Sequence, residues 1–337
     1  MRIALDAMGG DHAPEEIVHG AAQGLRYLSA DDQLVLYGQA DVVRAVLKSV
    51  GLNDARVVIE DCPQIVEMDE SPRDVVRQKR DSSIFRMAVD AGERKVDAMI
   101  SAGNTGAMAA CCQLKVGPIE GCSRPGIACV LPTFHGPVIV CDVGANVAPK
   151  PHHLYEYARM TRVYGEVVLG MSDPAIGLVS IGEEAEKGNS LVKEARKLIT
   201  NDPSLKFAGN LEGRDVFAGA AEICISDGFT GNVILKLTEG LAEGLFKTIL
   251  GELAEEGADL SQRFKPIVDK IWRKHDFAEY GGAPLLGINS VVIICHGRSD
   301  RRAIGNAIRV AVEGVRAGIN RAIAESLRAT APAGGAG

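Results

Sequence analysis

One junction, used twice, constrains what this chain can fold into more than any other feature. Lys95 to Ala110 reads KVDAMISAGNTGAMAA: a short apolar run, Val96 to Ile100, ends in Ser101-Ala102-Gly103-Asn104-Thr105-Gly106 and passes into small residues that suit a helix. The design returns over Ala221 to Lys236, AEICISDGFTGNVILK, where Ser226-Asp227-Gly228-Phe229-Thr230-Gly231 repeats Ser-x-Gly-x-Thr-Gly. Each reads as strand, tight turn and helix. Glycines let the backbone turn with its N–H groups exposed, and a helix start adds a partial positive charge, so such a turn suits an anion. The same residues also suit an ordinary helix cap. Taken alone, the residues leave both readings open.

Similar apolar runs of Val, Ile, Leu and Ala recur between glycine-rich turns, as expected for parallel strands buried on both faces. With 46% hydrophobic residues and only 4% aromatics, the core must be aliphatic. From Arg2 to Leu5, through the helix opened by Pro14, to the runs at Leu34 to Tyr37 and Val57 to Glu60, the rhythm is βαβ. His135-Gly136 reads as a hairpin turn between Ile127–Leu131 and Pro137–Asp142, predicting an antiparallel pair at an edge of the sheet. Gly281 to Gly287 reads as a turn-rich approach to a last strand over Val291 to Cys295. The expectation is one large α/β domain over 1–328, a helical arm at about 237–275, and a disordered tail over 329–337. The arm carries Phe264, Ile267, Val268, Ile271 and Trp272 along one side, a face to be buried either by a symmetric partner or by packing of both helices on their own domain.

Several function classes are disfavoured. The net charge is −7 and no basic block interleaves with aromatics, so nucleic acid is not an expected partner. Eight cysteines sit mostly inside apolar runs without Cys-x-x-Cys spacing, and Met1 to Leu5 reads as a strand rather than a leader, which predicts a reduced, cytoplasmic protein. No uncharged apolar run is long enough to span a membrane. Neither Gly-x-Gly-x-x-Gly nor a Walker-type loop occurs. His152-His153 and Asp11-His12 lack zinc spacing, so no cofactor and no metal are expected. The neighbours Cys295 and His296 point to opposite faces of a strand and cannot pair there. The polar segment Cys62 to Ser83, with Arg73, Arg77, Lys79 and Arg80, is either a loop over a site or a solvated helix face. Runs ending in DAMGGD, SAGNTG, DVGAN, IGEEAEKGN, SDGFTG and HGRS put Asp, Asn, Ser, Lys and His at carboxyl ends of strands, the edge where open α/β sheets bind ligands. Anion cradles without an enzyme nucleophile suggest that a bound phosphate attacks, or is held while another group reacts.

The chain resembles the bacterial phosphate acyltransferases, which convert an acyl-carrier-protein thioester and orthophosphate into an acyl phosphate for phospholipid synthesis. The resemblance rests on DAMGGDHAP, KRDSS, SAGNTGA, RPGIA, DVGAN with KPHHL, IGEEAEKGN, GNLEGRD, SDGFTGNVILK, EYGGAPLLG and VVIICHGRSD, in one order over nearly the whole chain. It implies a Rossmann-like three-layer α/β/α fold with a mainly parallel sheet, akin to phosphotransacetylases and isopropylmalate-type dehydrogenases, with a helical dimerisation arm. It also implies a homodimer with acyl carrier protein and orthophosphate as partners and a downstream glycerol-phosphate acyltransferase as a further one. The location would be cytoplasmic or peripheral at the inner face of the membrane. Where membrane-touching relatives carry an apolar tip, this arm has Glu255-Glu256-Gly257-Ala258-Asp259-Leu260-Ser261, so weak or no direct membrane contact is expected. The mechanism so implied has Ser101, Gly103, Asn104, Thr105, Gly106, Asp142, Asn146, Asn189, Asp227, Thr230, Gly231 and Asn232 hold phosphate and steady the tetrahedral oxyanion. Lys187 supplies positive charge and His296 donates a hydrogen bond. The segments Arg263 to Lys274 and Arg298 to Arg302 are candidate basic surfaces for the acidic carrier. A dehydrogenase of the same fold, which would need clustered metal-binding aspartates, and a non-catalytic scaffold are the rival readings.

Overall fold

The computed structural model describes residues 1–274 and 277–329. In chain order it contains β1 (Arg2–Asp6), α1 (Glu15–Gly24), β2 (Gln33–Gly38), α2 (Ala40–Ser49), β3 (Val57–Asp61), α3 (Pro72–Gln78), α4 (Ser83–Gly92), β4 (Ala98–Ser101) and α5 (Thr105–Lys115). There follow β5 (Gly126–Thr133), β6 (Gly136–Cys141), α6 (Pro151–Val167), β7 (Ile176–Val179), α7 (Ser190–Thr200), β8 (Phe207–Leu211), α8 (Asp215–Ala218) and β9 (Ile223–Ile225). The chain closes with α9 (Gly228–Glu255), α10 (Ala258–Lys274), β10 (Ala283–Leu286), β11 (Val291–Ile294), α11 (Arg301–Ala317) and α12 (Ile319–Arg328). The tail expected to be disordered lies, from residue 330 onward, outside the described residues.

The strands form one sheet in the order β3-β2-β1-β4-β11-β10-β5-β6-β9-β7-β8. Buried residues alternate along the strands, and the two faces receive different helices. Ala4, Met99, Val140 and Ile294 face α4, α5 and the start of α9. Ile3, Ile100 and Ile293 face α1 and α11, while Ala128, Ile139 and Ile223 face α6, α7 and α12. This is a three-layer α/β/α fold with an aliphatic core.

Two details correct the sequence reading. The hairpin β5–β6 is not at an edge: β5 pairs with β10, and β6 continues into the sheet through β9. The reason is β10 itself, an antiparallel strand within a stretch whose glycines and Pro284 read as a turn. The second correction follows from the first. The strands β3, β2, β1, β4 and β11 are mutually parallel, as are β6, β9, β7 and β8. Between the sets lie the antiparallel pairings β11–β10, β10–β5 and β5–β6. An odd number of reversals makes the sets run in opposite senses. The turns after β1, β4 and β11 therefore lie at one edge of the sheet, and those after β6, β7 and β9 at the other.

Helix α9 joins the edges. It starts at the second Ser-x-Gly-x-Thr-Gly turn, and its Glu243 pairs with Arg298, which follows β11 at the opposite edge, at 3.1 Å. At 1.5 Å per residue, Gly228 to Glu243 spans about 22 Å. Beyond that point α9 and α10 pack through an edge-to-face contact of Phe246 and Trp272, their rings 4.9 Å apart. Leu237, Leu241 and Leu245 remain exposed along α9, with Phe264, Ile267 and Ile271 along α10.

Candidate active site

The first turn is built on a buried carboxylate. Ser101, at the end of β4, donates from Oγ to Asp6 at 2.7 Å and accepts the Gly103 N–H at 3.0 Å. Asp6, at the end of β1, also accepts the Met8 N–H, and burial raises its pKa above the usual carboxylate range. Asn104 caps α5 by accepting the Ala107 N–H at 2.9 Å. Its amide nitrogen donates to the carbonyls of Glu67, Met68 and Glu70, between 2.9 and 3.2 Å away, and so clasps the polar segment over this edge. That segment is a loop followed by the short α3, with Arg73, Arg77 and Arg80 exposed. Thr105 and Gly106 open α5, too early for an intrahelical bond. Their N–H groups have no partner among the described residues, and both residues are exposed.

The second turn shares the pattern but spends most of its donors internally, leaving only the N–H of the exposed Phe229 among its first helical positions without a partner among the described residues. Asp227 caps α9, accepting the Thr230 N–H at 2.9 Å and the Thr230 hydroxyl at 2.7 Å. Gly228 donates to the Asn146 carbonyl at 2.8 Å and Gly231 to the Asp227 carbonyl at 2.9 Å. The DVGAN turn is locked beneath. Asp142 is fully buried and accepts backbone N–H groups from Ile127, Gly144, Ala145 and Asn146; burial raises its pKa against those bonds. Asn146 donates to Pro125 and to Tyr157. A Cβ on Gly231 would lie 1.9 Å from the Asp142 carbonyl, and one on Gly228 2.7 Å from that of Asn146, so only glycine permits this approach. Of the nominated residues here, Asn232 alone combines an exposed side chain with a position on the face of α9 one turn after Gly228.

A cleft of about 860 Å³ runs under α9 from one turn to the other. Thr105, Gly106 and His296 line it from the first edge, and Gly144, Val147, Phe229 and Asn232 from the second. Nδ1 of His296 accepts the Arg298 N–H at 3.1 Å, so the neutral ring carries its proton on Nε2. Burial, with the nearby Lys236 charge, lowers the His296 pKa and favours that neutral form. One cleft residue, Lys236, escaped the sequence reading, and another, Arg298, was read only as part of a carrier surface. Lys236 pairs with Glu239 at 2.9 Å, and Arg298 with Glu243. The available signal was helical spacing: Lys236 lies four residues beyond Asn232, hence on the same face. The structure gathers Thr105, Gly106, Asn232 and His296, and sets Ser101, Gly103, Asn104, Asp142, Asn146, Asp227, Thr230 and Gly231 behind them as framework. Lys187 and Asn189 lie apart on the loop after β7 and do not line the cleft. Asn189 caps α7 through the Val192 N–H, while Lys187 is exposed and its ammonium group has no partner among the described residues. Among the described residues, no group of three or more His, Cys, Asp or Glu could hold a metal ion.

A family model described as "Fatty acid synthesis protein" matches residues 1–322. A curated phosphate acyltransferase of Desulfitobacterium hafniense is 45% identical, over 97% of this chain and 98% of its own. Another, of Heliobacterium modesticaldum, is 44% identical over the same shares. The chain belongs to the phosphate acyltransferase family. Membership makes it an acyltransferase. Among solved structures, a phosphotransacetylase from Streptococcus pyogenes matches with a TM-score of 0.65 at 18% identity, covering 94% of each chain. A branched-chain phosphotransacylase from Enterococcus faecalis matches at 0.58 and 13%, covering 94% of this chain and 99% of its own. At such identities the likeness shows the fold, which places this acyltransferase on a phosphotransacetylase-like scaffold.

Proposed function

We propose that the cleft transfers a fatty acyl group from an acyl-carrier-protein thioester to orthophosphate, giving an acyl phosphate for phospholipid synthesis. Phosphate sits at the start of α5, held by the N–H groups of Thr105 and Gly106 and the Thr105 hydroxyl, where the helix terminus favours an anion. A phosphate oxygen attacks the thioester carbonyl. The new O–C bond forms, the carbonyl oxygen takes the negative charge, and collapse breaks the C–S bond to release the carrier thiolate, which takes a proton from water. His296, donating from Nε2, stabilises the oxyanion. Phosphate is largely dianionic near neutral pH, by analogy with monoesters whose second pKa is about 6, so little proton transfer is needed. Lys236 supplies positive charge inside the cleft. Lys187, unpaired on a loop flanked by Gly182 and Gly188, supplies it from outside.

The observation that carries this reading is the pair of unpartnered N–H groups at α5, opening into a cleft with His296, in a chain of this family. Residues 1–328 act as one domain, and the exposed leucines of α9 pack against the arm of a second copy. No helix among the described residues is long and apolar enough to cross a membrane. With the acidic arm tip, this supports a cytoplasmic enzyme with at most peripheral membrane contact, passing its product to a glycerol-phosphate acyltransferase. Of the two basic segments, 298–302 has its arginines engaged with Glu243, Glu16 and Glu279, whereas in 263–274 Arg263 makes only a long, exposed pair with Asp259, which favours 263–274 as the carrier surface. The test is release of free carrier thiol from a long-chain acyl-carrier thioester, with and without orthophosphate. Phosphate-dependent release with an acyl phosphate product is expected; release independent of phosphate, or none from folded protein, would sink the reading.

A further inference from the structure

The cleft is far larger than phosphate and a thioester carbonyl require, and its surplus has a definite chemistry. Ala283 of β10 is in register with Ile294 of β11, and Leu285 with Ile127 of β5. Positions two apart on a strand share a face, so Ile127, Cys129, Ala283 and Ile294 form one apolar patch across three adjacent strands. Two interstrand gaps make that floor about 10 Å wide. Above it, Leu235 and Ala242 of α9 also line the cleft, seven residues apart, again about 10 Å. One turn beyond Ala242 lies Phe246, and against it stands Trp272, whose ring closes this end of the trough. The charged groups of the cleft are largely paired with one another, Lys236 with Glu239 and Arg298 with Glu243, and together with His296 they stand along the rim of this apolar floor. Such a channel matches a ligand with one anionic, hydrogen-bonding end and a long unbranched apolar remainder.

We propose that this trough holds the acyl chain, with its methyl end against Trp272, and that Trp272 thereby sets the chain length the enzyme prefers. The inference rests on the acyl-transfer reading above and adds to it the direction in which the chain lies. Shortening Trp272 lengthens the trough, and filling the floor at Ala283 shortens it. A methylene accepted or refused by an apolar pocket changes specificity by about 10-fold or more.

Trp272 is the chain's sole tryptophan, so its fluorescence reports on this end of the trough alone. The probe is a long-chain acyl phosphonate, an unreactive mimic of the product, brominated either near its methyl end or beside the phosphonate. Strong quenching by the first and little by the second is expected. Equal quenching, quenching by the second alone, or none at saturating probe would overturn the placement. In parallel, kcat/KM for a long and a short acyl thioester is compared in Trp272→Ala and Ala283→Leu. The first raises the long-to-short ratio about 10-fold and the second lowers it by a similar factor; an unchanged ratio in both folded variants also overturns the proposal. Failure of the acyl-transfer reading shows separately, as wild-type protein that forms no acyl phosphate with either thioester.

Discussion

The turns Ser101–Gly106 and Ser226–Gly231 share four letters in the same spacing, yet they differ in where the helix starts. In the first, the cap is Asn104, at the fourth position, and the helix begins at Thr105. In the second, the cap is Asp227, at the second position, and the helix begins at Gly228. Two residues of register decide what the backbone can do. Thr105 and Gly106 fall at the first two helical positions with free N–H groups. Thr230 and Gly231 fall deeper, and their N–H groups bond to Asp227. One copy is open to an anion; the other is closed upon the DVGAN turn and launches the long helix that roofs the cleft. A repeated motif thus marks a repeated fold element without marking a repeated site.

The largest effect tests the closed turn. Gly231→Ala forces a methyl group into the Asp142 carbonyl and should destabilise the protein by more than about 3 kcal/mol, seen as loss of folded protein or a collapsed Tm. A variant of wild-type stability would mean that the turns are not in contact. At the open turn the loss is of rate: His296→Ala removes an oxyanion donor and should lower kcat about 100-fold with Tm little changed. A kcat within a few-fold of wild type removes His296 from the chemistry.

The caps make a matched pair. Asp227→Ala and Asn104→Ala each lose a capping bond and should cost about 1 kcal/mol in denaturant unfolding. Only Asn104→Ala also frees the 67–70 loop beside Thr105, so only it should raise the KM for phosphate. Equal KM changes in the two would erase the distinction between the turns. Lys187→Ala should lower turnover about tenfold at unchanged Tm; unchanged turnover would remove Lys187 from the scheme.

The last effect lies away from both turns and shows only in acid. Burial pushes the His153 pKa down to about 4, and its Nδ1 accepts the Lys150 N–H at 3.0 Å. An unfolded histidine titrates near 6.5. The unfolded chain therefore takes up the proton first as pH falls: this contribution to stability is complete above about 6.5 and is lost progressively down to about 4. His153→Gln should flatten the pH dependence of unfolding within that window, and an identical slope in the variant would contradict the assignment.

What the sequence made legible was local. The runs leading into Ser101, Ser226 and His296, the glycine turns after them and the helices beyond follow from patterns a few residues long. The sheet reversal was not legible, because it depends on β10 pairing with β5, more than 150 residues away. Pro284 and the flanking glycines gave that strand the look of a loop. Thr105, Gly106, Asn232 and His296 line the cleft, but whether a side chain faces it or braces it depends on its partners. Asp142 and Asn146 are consumed by the backbone of their own turn. Lys236 was hidden by the opposite cause: it sits more than a helical turn past the turn that drew attention, and only the course of α9 over the sheet gives it a place in the cleft.

The asymmetry between the turns can be read directly by nuclear magnetic resonance on protein labelled with nitrogen-15 in glycine and threonine, titrated with orthophosphate. Binding at the open turn predicts saturable shifts of the Thr105 and Gly106 amides, while Gly228, Thr230 and Gly231 stay in place. Saturable shifts at Gly228, Thr230 and Gly231, with Thr105 and Gly106 unmoved, would put the phosphate at the wrong end of the cleft and contradict the account.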